Sequence, residues 1–289
     1  MTKFKDRLSQ SKVLIADGAI GTMLHQAGLP SGVSPVRWNL ENPDAVRALH
    51  LSYMQAGSDL VLTNTFGGNR PRLEREGLSD RLREINLAAV RLAREAADDE
   101  VLVLGDIGPT GQLLEPMGTL TYDNAVTVFA EQTAVLGEGG VDAILMETMS
   151  DLNEAKAAVE GARRATDLPI LVTMSFDTHG RTMMGVKPAD AAKELWASGV
   201  DVVGANCGRT LSETLEAIRQ MREALPEATL MAKPNAGLPH VEGGAAVYDV
   251  TPEIMADYAR QFAALGVRIF GGCCGSTPDH IQAVAVALK

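Results

Sequence analysis

Val267-Arg268-Ile269-Phe270-Gly271-Gly272-Cys273-Cys274-Gly275-Ser276-Thr277-Pro278 is the stretch from which the fold can be read. Its first four residues are rich in β-branched and aromatic side chains, the composition of a short buried strand. Ser276 and Thr277 then supply a helix N-cap and Pro278 suits a first turn, so a helix is predicted over 281–288. The two cysteines therefore sit on a strand-to-helix loop. Glycines on either side let the backbone turn sharply and bring both sulfurs to one point.

The one other cysteine, Cys207, repeats this setting. Residues 200–205 read as a strand, Asn206-Cys207-Gly208 follows, and a helix begins near Leu211. Adjacent cysteines seldom bond to each other, and pairing Cys207 with either would leave a free thiol, so a disulfide is the weaker account. Three thiolates with an open fourth position match catalytic rather than structural zinc. Free cysteine also packs as a small hydrophobe. The shared placement after strands favours the metal.

Outward from these two loops, strand and helix alternate along the whole chain. Strands are predicted over 13–16, 59–62, 101–104, 143–146, 170–174, 200–205, 229–232 and 267–270. Helices are predicted over 43–56, 81–97, 122–138, 152–164 and 252–265, besides those already named. Apolar residues at helical spacing, such as Leu82, Ile85, Ala89 and Leu92, mark the helix over 81–97. The 101–104 strand is wholly apolar, as strands covered on both faces are. A helix over 3–9 is placed to close the bottom of the structure. Eight such units in series predict an α/β protein, a (β/α)8 TIM barrel forming a single domain over 1–289. A doubly wound open sheet is the rival, but Gly18-Ala19-Ile20-Gly21 is a poor dinucleotide-binding loop.

Composition agrees. The 289 residues are 46% hydrophobic, enough for one large core, and the net charge of -11 argues against a nucleic-acid or anionic-membrane surface. The polar start has no apolar leader, and no apolar run reaches the ~18 residues of a membrane span. Three cysteines without a leader fit a reducing, cytoplasmic setting.

In a barrel the active site is built on the loops at the C-terminal ends of the strands. Here those positions hold Asp17, Thr63, Asn64, Asp106, Glu147, Asp177, Asn206, Cys207, Lys233, Asn235, Cys273 and Cys274. A single carboxylate there is commonly a helix cap; eight loops with the same bias point to a site. The five histidines, His25, His50, His179, His240 and His280, follow no such pattern and read as surface or structural.

These segments resemble the homocysteine S-methyltransferase family. The likeness is carried by Asp17-Gly18-Ala19 with Gly21-Thr22, Thr63-Asn64-Thr65-Phe66, Gly105-Asp106-Ile107-Gly108-Pro109, Glu147-Thr148, Asn206-Cys207, Pro234-Asn235-Ala236-Gly237 and Gly271-Gly272-Cys273-Cys274-Gly275. It spans essentially the whole chain. The resemblance implies one Zn2+ per chain on Cys207, Cys273 and Cys274. It implies a pocket for the amino-acid end of homocysteine made by Asp17, the amides of Gly18 and Ala19, Thr63 and Glu147, with Asn206 and Asn235 beside the metal. A thiol of pKa near 8.5 is mostly protonated at neutral pH, and coordination to zinc replaces that proton. Attack on a methyl carbon is then an in-line displacement that needs little acid-base machinery.

The methyl donor is less determined. Betaine-using relatives place aromatic side chains where this chain has Gly67 and Thr148, and only 4% of its residues are aromatic. Phe66, Trp38, Tyr122 and Phe176 are the candidates for any cage. The chain looks closer to the homocysteine-binding module of cobalamin-dependent methionine synthases, without their folate and cobalamin modules. A methyl-corrinoid, on a separate protein or free, is therefore the expected donor, with betaine or a methylsulfonium compound as the alternative. A zinc hydrolase using Glu147 or Asp177 as base, and a non-catalytic thiol or metal binder, are the other classes.

Overall fold

Eight short apolar strands run parallel in the computed structural model, which describes residues 2–242 and 245–289. Met1, at the head of the polar start, and Gly243-Gly244 lie outside the described residues. The barrel strands are β1 (Leu14–Ile15), β2 (Leu60–Leu62), β3 (Leu102–Ile107), β4 (Ala143–Met149), β5 (Ile170–Met174), β6 (Val202–Cys207), β7 (Leu230–Pro234) and β8 (Val267–Phe270). From β2 to β8 each strand pairs with the next, and β8 returns to β1 with Leu14 opposite Ile269 and Ile15 opposite Phe270. A parallel bridge from Ala16 to Leu60 closes the ring. This is the predicted (β/α)8 barrel.

Because successive side chains on a strand face opposite ways, each strand feeds two cores. Leu14, Ala16, Leu60, Leu62, Leu102, Leu104, Leu145, Leu171, Val202, Met231 and Ile269 pack together inside the barrel. Ile15, Val61, Val103, Ile144, Val172, Val203, Leu230 and Phe270 pack outward against the helices. Phe4, fully buried on the helix Lys3–Gln10, joins the inner cluster and closes it. Burying such a ring stabilises the fold by about 1.5–3 kcal/mol.

Several boundaries differ from the sequence reading. β3 and β4 extend through Asp106 and Glu147, so these carboxyls are held by strand backbone rather than by loops. β6 likewise extends through Asn206 to Cys207. The helices Ile20–Gln26, Trp38–Glu41, Arg70–Arg75 and Pro188–Ala197 also form, as does a hairpin of His240–Glu242 and Ala245–Val247. The first three are too short to show a helical period, and the fourth is opened by a proline without a side-chain cap.

Candidate active site

Cys207 ends β6, while Cys273 and Cys274 follow β8, and β7 lies between these strands. The end of β7 ties the two segments together. Cys273 N–H donates to the Pro234 carbonyl (2.9 Å), Ala236 N–H to that of Cys274 (2.9 Å), and Asn235 Nδ2 to that of Gly208 (2.7 Å). Gly275 must be glycine: its φ is +80°, and a Cβ there would stand 2.2 Å from the Tyr248 ring. The three sulfurs consequently lie within 4.8 Å of one another, with Cys207 and Cys273 in contact at 2.9 Å.

Asn206 organises this end of the barrel. Its Oδ1 accepts from the Thr148 amide (2.8 Å) and the Thr173 hydroxyl (2.7 Å). Its Nδ2 donates to Thr148 Oγ1 (2.7 Å) and lies 3.7 and 3.8 Å from the sulfurs of Cys207 and Cys273. Thr148 and Cys207 both have positive φ, 63° and 55°. Non-glycine residues there carry strain of order 1–3 kcal/mol, and Asn206 helps hold both in place.

Beneath the sulfurs lies a buried charge cluster. Lys233, on β7 and only 2% exposed, places Nζ 3.1 Å from Glu147 Oε2 and 3.8 Å from Asp17 Oδ1. Asp17 Oδ2 accepts the Leu62 amide (2.8 Å). Asp106, 3% exposed, leaves Oδ1 without a partner. Burial raises the pKa of Asp17 to about 7 against the pull of Lys233. Burial, then Glu147, raises that of Asp106 well above the carboxylate range. Burial lowers the Lys233 ammonium, but Glu147, Asp17, Cys273 and Asp106 outweigh it, so the lysine stays charged. Among the sulfurs, hydrogen bonds from Cys207 and Cys273 pull Cys274 down to about 3. Cys207 and Cys273 are shifted the other way, Cys273 to about 12, so the trio shares its protons and Cys274 is the sulfur that carries negative charge.

A cavity of about 710 Å³ opens over both groups, lined by Cys207, Cys273, Cys274, Glu147, Thr148, Asp106, Lys233, Thr63, Gly18 and Ala19 among others. Not every expected residue faces it in the same way. Asp17 is fully buried behind Lys233. The Thr63 hydroxyl bonds Thr65 Oγ1 and accepts from the Asp106 amide, and the Ala19 amide donates to Ser276 O (3.1 Å). Asn235 braces the backbone beside Cys207. Asp177 is exposed and is not a lining residue. Of the aromatic candidates Phe66 lines the cavity, whereas Trp38 and Phe176 belong to the core and Tyr122 is exposed on Glu160. Lys233 was assigned no role from sequence; a lysine inside an otherwise apolar strand was the available signal, since buried lysines need a carboxylate partner.

A single parallel barrel with three thiols and a buried charge cluster at the C-terminal rim defines a class of barrel protein with a thiol-rich catalytic end. The homocysteine S-methyltransferase pattern matches residues 14–288, and the chain belongs to that family. It is 34% identical to methionine synthase of Mycobacterium leprae (strain TN) and 35% identical to that of Mycobacterium tuberculosis (strain ATCC 25618 / H37Rv), over 307 residues in each case. Those alignments cover 99% of this chain but 25% of each relative, so the chain spans about a quarter of their length. The metallated form of a homocysteine methyltransferase from Escherichia coli superposes with a TM-score of 0.83 at 23% identity, covering 98% of this chain and 99% of that one, a likeness of fold. No helix of the described residues is long and apolar enough to cross a membrane.

Proposed function

We propose that the chain is a zinc-dependent homocysteine S-methyltransferase forming methionine, with a methyl-corrinoid as donor. The observation that carries this reading is the shared cavity: three thiol sulfurs within 4.8 Å stand over a cluster of three carboxyls and one ammonium. The donor set fits zinc, because three cysteine sulfurs gathered within 4.8 Å of one another are the soft ligands a tetrahedral Zn2+ site takes. Cys207, Cys273 and Cys274 would hold it, braced by Asn206 and Asn235. When bound, the metal keeps a substrate thiol deprotonated at neutral pH and so supplies the nucleophile.

The chain's own residues then do the positioning. Asp106 Oδ1 and the Glu147 carboxylate offer acceptors to an α-ammonium, while Lys233, itself near Asp17, fixes Glu147 from behind. Burial holds Asp106 toward its neutral form and Asp17 near half-ionised, and a substrate cation beside them would favour their ionised forms. Gly18, Ala19 and Thr63 wall the amino-acid end. In the reaction the sulfur forms a bond to the methyl carbon as the methyl–donor bond breaks, and the bonding pair leaves with the donor. No base is required, which suits a Glu147 already committed to Lys233.

Metal analysis of the purified protein, followed by a methionine-formation assay with methylcobalamin, betaine and S-methylmethionine, tests the reading. One zinc per chain and methionine from at least one donor are expected. A metal-free protein, or no methionine from any donor by the zinc-loaded protein, would overturn it.

A further inference from the structure

The cavity is far larger than one amino-acid thiol fills, being of a size that takes drug-sized ligands. Beyond the sulfurs and charged floor its wall is made by Val33, Pro35, Val36 and Phe66, and by two guanidinium groups, Arg72 and Arg75. Both arginines come from the last turn of the helix Arg70–Arg75 and reach the loop after β3. Arg72 Nε donates to the Pro109 carbonyl (3.0 Å), and Arg75 donates to that of Gly111. They crowd one point: a Cβ on Gly111 would lie 2.9 Å from Arg72 Cζ and 3.1 Å from an Arg75 terminal nitrogen.

Two like charges in one corner repel, and the Arg72 pKa is lowered, by burial first and then by Arg75. Carboxylates relieve them only in part: Glu154 favours the Arg72 charge from a distance, and no acid forms an ion pair with either arginine among the described residues. Glu76, on the same cavity wall, is turned to Arg37 (3.8 Å), and Glu154 accepts from the amide and hydroxyl of Thr110. The adjacent Arg70 by contrast takes Glu131. Among the described residues, Arg72 and Arg75 bond only backbone carbonyls, which leaves guanidinium donors over for a ligand. In a chain of net charge -11, an arginine pair on the wall of the reaction cavity whose guanidinium groups are held by backbone carbonyls rather than by ion pairs is the complement of an anion.

We propose that Arg72 and Arg75 form an anion subsite for the methyl donor, which binds with a carboxylate or phosphate on the pair and its body against Val33, Pro35, Val36 and Phe66. This rests on the methyl-transfer reading and narrows the donor to one bearing an anionic group.

The test has two parts, so that the two ideas fail separately. Calorimetric titration of the zinc-loaded protein with inorganic phosphate needs no turnover: wild type is expected to bind, and Arg75→Gln to bind about tenfold or more weakly. Arg75 is exposed, so this variant is expected to fold; Arg75→Lys should recover part of the affinity, and homocysteine binding should be unchanged. Absent phosphate binding, or equal binding in wild type, Arg75→Gln and Arg72→Gln at wild-type melting temperature, overturns the subsite. Donor kinetics then separate the sources. A preference for methylcobalamin over methylcobinamide, which lacks the phosphodiester, lost in Arg75→Gln, assigns the phosphate. A preference for S-methylmethionine over trimethylsulfonium, lost in the same variant, assigns the carboxylate. Donor KM values unaffected by the substitution in both pairs overturn the proposal, whereas no methionine from any donor overturns the methyl-transfer reading and leaves the phosphate titration standing.

Discussion

The ammonium of Lys233 lies 3.1 Å from Glu147 Oε2, and both side chains are buried where β7 and β4 reach the cavity. An ion pair in this setting is costly to break from one side, because the survivor is a buried charge without its partner. Lys233→Met is therefore expected to destabilise the protein by about 3–5 kcal/mol in denaturant unfolding. The double variant Lys233→Met/Glu147→Gln should recover much of that loss, and additivity of the two single effects would show that the pair is not coupled. Glu147→Gln alone is expected to weaken homocysteine binding roughly tenfold to a hundredfold, the worth of a charge-assisted hydrogen bond, without changing zinc content. Unaltered affinity would confine Glu147 to a structural part.

Removal of any sulfur should empty the metal site while leaving the barrel, since the two cores are packed by other residues. Cys207→Ala is expected to abolish zinc retention and activity with near-wild-type circular dichroism. Stoichiometric zinc in that variant, measured by emission spectroscopy, would remove Cys207 from the ligand set.

His50 offers a test of the core that does not touch the site. It is fully buried, both ring nitrogens lack partners, and burial lowers its pKa from 6.5 to about 4. Between those values the unfolded chain takes up a proton that the native state refuses, so stability falls as pH drops from about 6.5 toward 4 and is unaffected above 6.5. The contribution amounts to roughly 3 kcal/mol across that window. His50→Leu should flatten the dependence, read as a smaller difference in unfolding free energy between pH 7 and pH 5. An unchanged difference would mean that His50 is not the group responsible.

The donor prediction follows from Gly67 and Thr148, which line the cavity where an aromatic cage would need rings. Each aromatic face adds on the order of 0.5–2 kcal/mol for a quaternary ammonium, and Phe66 is the one candidate ring on the wall. Methionine is expected to form faster from methylcobalamin than from betaine. Saturable betaine turnover with no corrinoid use would reverse this.

Much of this was legible in the chain because barrel strands are short apolar runs, and the strand-end motifs fall between them at regular intervals. The extents predicted for β5 and β8 agree with the structure. What stayed hidden depends on three dimensions. Asp106 and Lys233 were visible as strand-end polar residues, but only closure of the ring brings them beside Glu147 and Asp17. The arginine pair lies on a helix of six residues, too short to register as periodic, and acquires meaning only from Gly111 far along the chain. Strain at Thr148 likewise has no signature in a threonine.

Cys207 and Cys273 touch across 66 residues of sequence, with a strand between them in the ring. A chain emerging from the ribosome exposes the first thiol well before the other two, and the triad exists only when β8 has seated between β7 and β1. If the triad holds zinc as proposed, capture at full strength would wait until the ring is closed. On the proposed zinc reading, a partly made or unravelled copy would be a poor competitor for the metal, and zinc content would report completed assembly.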